Sequence, residues 1–364
     1  MQYRLEDALK YEQPSKYIVQ SEEYSTDISL VPVLTAGKTF ILGYTEENQG
    51  ICKASSAPVI LFDDFTADSR YIDFDFKVKS SAVKILHKMN TEDNLKYFYY
   101  AMQAIKYKPF SHKRVWISEY SKFTVKQRTP NEQNTIVAML DKLENAIKNA
   151  KQRLIELDEL VKSRFIEMFD TIDMSEERKD WIELEKISKI YSGTTPSTKD
   201  EENWNGDIPW ITPAEMNKDT FYITDTVRKI TEKGRKSKSL EMMPANTVLL
   251  STRAPIGKVG ITGIPMTCNQ GFKNFGCGDK LNPIYLYILL KENTEYLNSL
   301  GSGTTFLEVS KSKIAKTKIP IPPIELQNTF AEFVKQVDKS KFIVQKQIDD
   351  LQELLDSKMD EYFG

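Results

Sequence analysis

The stretch Pro130-Asn131-Glu132-Gln133-Asn134-Thr135-Ile136-Val137-Ala138-Met139-Leu140 opens a helical run whose beginning returns later in the chain. Gln133-Asn134-Thr135 recurs as Gln327-Asn328-Thr329, an offset of 194 residues. At that same offset Leu157, Glu159, Leu160, Ser163, Glu167 and Phe169 fall on Leu351, Glu353, Leu354, Ser357, Glu361 and Phe363, all identities without a gap. Self-similarity at one fixed spacing points to a duplicated structural unit. Proline leads into each copy: Pro130-Asn131-Glu132 in the first, and Pro322-Pro323-Ile324-Glu325, one residue longer, in the second.

Both copies have helical periodicity. Ile136, Leu140, Leu143, Ile147, Ala150, Leu154, Leu157 and Val161 advance by alternating steps of four and three, with Met168 one heptad beyond. Phe330, Val334, Val337, Val344, Ile348, Leu351, Leu355 and Tyr362 repeat the register. Lys341, and at the intervening step Arg164 or Lys358, interrupt it; their long stems can lie along an apolar seam while their heads reach water. Two in-register copies of about 34 residues, bare of Gly and Pro, favour a coiled-coil pair over two separately buried helices, each about 51 Å long at 1.5 Å per residue.

The remaining sequence falls into two globular stretches. Residues 1 to 128 precede the first helix, and Trp181 opens a second stretch soon after it ends. The expected fold is therefore mixed α/β, with two globular domains at opposite ends of an antiparallel two-helix coiled coil and a rough two-fold relation between halves. The expected segments are a first globular domain at 1–128, a first helix at 129–170, a second globular domain at 181–321 and a second helix at 322–364.

Composition bounds what such a chain can be. It has 364 residues, 40% hydrophobic and 28% charged, enough for two or three domains. No run approaches 18 apolar residues, and Met1-Gln2-Tyr3-Arg4-Leu5-Glu6-Asp7 lacks the regions of a signal peptide, so an intracellular, cytoplasmic location without a membrane is expected. Cys52, Cys268 and Cys277 cannot all pair, and with only His87 and His112 no zinc-ligand spacing can be assembled. Formal charge is +2 over 1–128, −4 over 129–180, +4 over 181–321 and −4 over 322–364. Mildly basic globular parts joined by acidic helices suit an encounter of the former with a polyanion.

Within the second globular stretch, Trp181 to Ile190 reads as an amphipathic helical turn series that breaks at Gly193-Thr194-Thr195-Pro196-Ser197. Short β-prone runs follow at Ile208-Pro209-Trp210-Ile211-Thr212, Thr247 to Thr252 and Gly257-Lys258-Val259-Gly260-Ile261. Loops bearing Lys and Arg separate them: Lys233 to Lys238, Arg253 and Lys258, and Gln270-Gly271-Phe272-Lys273.

Taken in order, these pieces resemble the specificity subunit of a Type I restriction-modification system. They are Trp181-x-x-Leu184-x-x-Ile187-x-x-Ile190-x-x-Gly193-x-Thr195-Pro196-Ser197, Asp207-Ile208-Pro209-Trp210-Ile211-Thr212, Arg253-Ala254-Pro255-Ile256-Gly257-Lys258-Val259-Gly260, Asn269-Gln270-Gly271, and Gly303-Thr304-Thr305-Phe306 leading to Ile319-Pro320-Ile321-Pro322-Pro323. The first globular stretch departs from this pattern. It lacks the opening Trp and the Thr-Pro-Ser loop, beginning Tyr3-Arg4-Leu5-Glu6-Asp7-Ala8-Leu9-Lys10-Tyr11, with Val31 to Gly37 and His112-Lys113-Arg114-Val115-Trp116-Ile117-Ser118 before its helix.

Signs of catalysis are few. No Gly-x-x-x-x-Gly-Lys-Ser/Thr run is present. Asn282-Pro283-Ile284-Tyr285 resembles the Asn-Pro-Pro-Tyr loop of adenine methyltransferases, with Ile for the second Pro; the competing reading is a helix start. Asp63-Asp64 with Asp75-x-Lys77 offers carboxylates and a lysine of the kind a nuclease uses. Yet Ile72, Phe74, Phe76 and Val78 alternate with Asp73, Asp75, Lys77 and Lys79, as in any half-buried strand.

The expected function is thus non-catalytic: a subunit that reads a bipartite, asymmetric double-stranded DNA target. The resemblance implies two methyltransferase subunits and restriction subunits as partners, and these would hold the cofactors S-adenosylmethionine, ATP and Mg²⁺, with none in this chain. Arg or Lys to guanine and Asn or Gln to adenine are the expected base contacts. The DNA-binding candidates are Lys38, Lys113 and Arg114 in the first globular part, and Arg235, Lys236, Lys238, Arg253, Lys258, Asn269, Gln270 and Lys273 in the second. His112 reads equally as a phosphate or base contact or as part of a solvated loop. The alternative function is an autonomous nuclease or methyltransferase fused to a DNA-recognition module.

Overall fold

The computed structural model describes residues 2–36, 39–110, 113–176, 178–217, 221–302 and 307–364. The chain divides into two compact units, Met1–Gln152 with Gln345–Gly364, and Arg153–Val344. Each unit therefore joins one globular part to pieces of both long helices. Those helices run Pro130–Phe169 and Ile324–Phe363, and their bounds keep the offset of 194 residues found in the sequence. At 40 residues each they outrun the gap-free periodic stretch, since the flanking polar turns are helical too.

In unit 1 a four-stranded antiparallel sheet orders Leu9–Glu12, Val83–Lys88, Val59–Asp63 and Ser69–Ile72. A second sheet orders Ile41–Thr45, Val31–Leu34 and Lys77–Val78, the last pairing being parallel. Val59–Asp63 is buried along its whole length, as a central strand covered on both faces must be. Unit 2 is built alike. Its larger sheet orders Ser188–Ser192, Lys273–Cys277, Thr247–Leu250, Val259–Thr262 and Tyr222–Ile223, and its smaller one Lys229–Ile230, Trp204–Ile211 and Thr267–Cys268.

Trp181 to Ile190 is not a helix. It forms a strand Ile182–Glu183, one 3₁₀ turn Leu184–Lys186 and a strand Ser188–Ser192. The three-residue spacing of Trp181, Leu184, Ile187 and Ile190 arises from strand, turn and strand in succession. β-branched Ile182 and Ile190 then find cross-strand partners in Ile319 and Phe275. The expected basic loop Lys233 to Lys238 is largely a short helix, Glu232–Ser237, because Thr231 Oγ1 accepts the Gly234 N–H at its start. The alternating run from Ile72 to Lys79 is likewise interrupted, with strand only at its two ends.

The repeated Gln-Asn pair has a structural reason. Gln133 is fully buried; its Oε1 accepts the Asn94 N–H at 2.8 Å, and its Nε2 donates to Asp93 Oδ1 and the Arg128 carbonyl. Asn94 caps the helix Leu95–Ala104 and donates from Nδ2 to Asn134 Oδ1. In unit 2, Gln327 is equally buried, accepts the Asn282 N–H at 2.9 Å and donates to the Lys280 and Pro322 carbonyls. Asn282 caps Pro283–Glu292 and donates to Asn328 Oδ1. One buried amide thus fastens a helix cap to the first turn of a long helix in each unit, satisfying backbone groups that burial would otherwise leave unpaired.

A second feature is also duplicated. Gln2–Arg4 pairs with Thr124–Lys126, and Ile182–Glu183 pairs with Lys318–Ile319, so the first and last strands of each globular part lie side by side.

Within unit 1 the start of the first long helix, at Ile136, Val137 and Leu140, shares an apolar cluster with Leu355, Met359, Tyr362 and Phe363 from the end of the second. Within unit 2 the end of the first, at Phe165 and Phe169, meets Phe330 at the start of the second, with ring centroids 5.5 Å apart. Start meets end in both units, so the helices pair antiparallel. Of the seam residues, Ile136, Leu140, Leu143, Ile147, Phe330, Val334, Val337 and Ile348 are buried, while Leu154, Leu157, Val161, Val344, Leu351 and Leu355 are half-buried. Lys341, the cation that breaks the periodicity, bonds Asp158 Oδ1 of the other helix at 2.8 Å.

Candidate nucleic-acid interface

In unit 1, Lys113 and Arg114 are exposed at the start of a segment whose root is tightly held. Val115 N–H and Trp116 N–H both donate to Asp64 Oδ1, at 3.1 and 2.8 Å. Asp64 is buried opposite Lys84, with 3.4 Å between charged atoms, and the Trp116 ring packs on Phe62. A buried ion pair of this kind costs desolvation, and its Asp64 carboxylate is the group that holds the backbone immediately after Lys113 and Arg114. Arg114 Nη2 also donates to Ser81 Oγ. Lys38 and His112 lie outside the described residues.

In unit 2 the structure brings together sequence pieces that are far apart in the chain. Thr195 Oγ1 donates to Gln270 Oε1 at 2.7 Å, joining the Thr-Pro-Ser loop to Asn269-Gln270-Gly271. Gly193 has to be glycine, because a Cβ there would stand 1.9 Å from the Cys268 carbonyl oxygen. Asn269 Oδ1 accepts the Gly271 N–H, which shapes the turn.

The cations of unit 2 separate into two groups. Lys236 and Lys238 are exposed, and Arg253 is half-exposed beside Glu308 at 2.9 Å. Arg235 is held bidentately by Glu232 at 2.8 and 2.7 Å and bonds the Leu240 carbonyl, so it stabilises its own short helix. That guanidinium pulls the Glu232 carboxyl down to about 2. Lys258 and Lys273 do not match their expected place in a reading loop. Lys258 Nζ donates to the Pro213 and Met216 carbonyls at 2.8 and 2.5 Å, clamping one loop. Lys273 is buried and donates to the Phe272 carbonyl, and burial pushes its pKa below the usual lysine range.

Sequence reasoning missed Arg228. Its Cζ lies 3.6 Å from the centroid of the Trp204 ring and 5.3 Å from that of Trp210. Trp210 was visible as part of a motif, but an arginine stacked on an indole from another strand leaves no spacing signature.

Among the described residues, the groups named for the catalytic alternative are engaged in separate local contacts. Asp63 caps its own turn through Phe65 N–H, Thr66 N–H and Thr66 Oγ1. Asp75 pairs with Lys53 and Ser55, and Lys77 with Glu47 and the Gln49 carbonyl. These carboxylates and the lysine thus serve different local contacts. Among the described residues no three His, Cys, Asp or Glu side chains gather as metal ligands. Asn282 is a helix cap, and the buried Tyr285 donates to the Pro320 carbonyl. No described helix is long and apolar enough to cross a membrane.

Residues 177–353 match the family model described as Type I restriction modification DNA specificity domain. The Type I restriction enzyme EcoR124I/EcoR124II specificity subunit of Escherichia coli is 35% identical over 353 residues, covering 92% of this chain and 85% of that protein. The MjaIX specificity subunit of Methanocaldococcus jannaschii is 41% identical over 184 residues, 49% of this chain and 43% of that one. Among solved structures, the S subunit of a Type I restriction-modification system from M. genitalium superposes with a TM-score of 0.62 at 14% identity, covering 100% of this chain and 96% of that one.

Proposed function

Because this chain belongs to the family of Type I restriction-modification DNA specificity subunits, we propose that it reads a bipartite, asymmetric duplex DNA target, one half-site per unit. It performs no chemistry itself. It scaffolds two methyltransferase subunits and the restriction subunits, which hold the S-adenosylmethionine, ATP and Mg²⁺ that modification and cleavage require.

One observation carries this reading: the two units repeat the same framework but carry different side chains on it. The buried glutamine, the helix cap with its bonds to the glutamine and the neighbouring asparagine, and the closing strand pair are shared. The exposed cations are not. Unit 1 offers Lys113 and Arg114, whereas unit 2 offers Lys236, Lys238 and Arg253. Equal scaffolds bearing unequal reading groups call for two unlike half-sites, because direct readout depends on which donors reach base edges. Lysines at the surface supply the sequence-independent, salt-sensitive part of binding.

The test is to map methylated adenines in a host with and without this chain while the methyltransferase subunits are present. Methylation confined to one two-block motif, and lost with the chain, is the expected result. Methylation that persists without the chain would overturn the reading.

A further inference from the structure

We propose that Arg228 reads a guanine in the half-site of unit 2, a role that rests on the DNA-reading function proposed above. The tip Thr226-Val227-Arg228 lies between the strands Tyr222–Ile223 and Lys229–Ile230, and its backbone is pinned on three sides. Trp210 N–H donates to Thr226 Oγ1 and the Arg228 carbonyl, Thr226 Oγ1 donates to that same carbonyl at 2.7 Å, and Val227 N–H donates to Glu215 Oε2 at 2.7 Å.

The side chain lies against an aromatic platform that is itself anchored. Its guanidinium lies 3.6 Å from the Trp204 ring centroid, van der Waals contact with an aromatic face. Trp204 and Trp210 are buried edge to face, with centroids 5.1 Å apart. Each indole N–H is anchored, Trp204 Nε1 to the Ser197 carbonyl and Trp210 Nε1 to the Thr194 carbonyl, both at 3.1 Å. The platform under the guanidinium therefore cannot rotate without breaking the Thr-Pro-Ser loop.

Stacking uses the face of a guanidinium and leaves its N–H edge available. Among the described arginines outside the long helices, Arg4, Arg114, Arg128, Arg178, Arg235 and Arg253 are engaged by an acid or a hydroxyl. Arg228 differs: it is exposed, and its guanidinium lies over two indoles. Arg70, over Phe40 in unit 1, is the one other case. A planar fork that is already stacked loses less entropy on docking than a free one, and its two parallel donors match O6 and N7 of guanine in the major groove. Shielding Trp204 from water would account for the stacking but would not require arginine, since a lysine or methionine stem covers an indole as well.

The experiment selects bound duplexes from a random-sequence pool with the full chain in complex with co-expressed methyltransferase subunits, comparing wild type, Arg228→Met and Arg228→Ala. Thermal unfolding of each complex checks the fold, and Arg228→Met, whose stem still covers the indole but has no donor, carries the test if the alanine variant does not fold. The expected result is a two-block motif in which both variants lose preference at one guanine of one block by roughly 5- to 140-fold, while the other block is unchanged. An unchanged motif overturns the assignment. So does uniform weakening across all sequences with a salt slope lower by about one, the mark of a phosphate contact. If wild type enriches no motif, the DNA-reading function itself fails and this role falls with it.

Discussion

Lys258 and Lys273 occur in segments that look like basic loops, yet their ammonium groups end on backbone carbonyls. Nothing in residue type or spacing reports burial of a single side chain, so Lys258, Lys273 and Lys236 look alike in the sequence. Replacing Lys273 with Met is expected to leave DNA affinity unchanged, because the amine does not face solvent. It also removes a pH dependence. The native pKa of Lys273 is lowered, so between that value and the ordinary 10.5 the unfolded chain binds the extra proton. Wild-type stability therefore rises with pH across that window and falls as pH drops through it, and the Met variant flattens the slope. Denaturant titrations at a series of pH values up to 10.5 measure this directly. The buried glutamines make the opposite case: visible as a repeat, unexplained until the hydrogen bonds are seen. Gln327→Ala strands the Asn282 N–H and is expected to destabilise unit 2 by about 1–3 kcal/mol in urea melts, with Gln133→Ala doing the same to unit 1.

The long helices were legible as elements because one heptad stripe appears twice without Gly or Pro, and no tertiary contact has to be known to see it. The strands were harder. Ile182 to Ser192 has helix-like apolar spacing, and only its pairing with Lys318–Ile319 and Lys273–Cys277 decides for strand. That information lies some 80 to 140 residues away in the chain, beyond any local window. Burial along the helices also grades what substitutions do. Leu140→Ala, at a fully buried position, is expected to cost about 2–5 kcal/mol. Lys341→Ala breaks a solvent-accessible pair with Asp158 and should cost no more than about 1 kcal/mol. Equal losses for the two in thermal or urea unfolding would contradict the burial pattern.

For the molecule as a whole, the duplicated framework predicts that reading is modular. Exchanging residues 181–321 for the corresponding stretch of another family member is expected to change one half of the methylated motif and leave the other intact, as adenine mapping would reveal. Both halves changing together would refute independent reading. The sequence showed that there were two such parts, but not which cations in them face outward. That depends on loops brought together by the fold, as Thr195 and Gln270 are. The closing strand pairs, Gln2–Arg4 with Thr124–Lys126 and Ile182–Glu183 with Lys318–Ile319, have one more consequence. The polypeptide goes into each globular part and comes out of it through a single doorway. Changes behind that doorway that spare the cap fastened to the buried glutamine leave the outgoing helix where it was, so a lineage can acquire a new target by rewriting the room and keeping the frame.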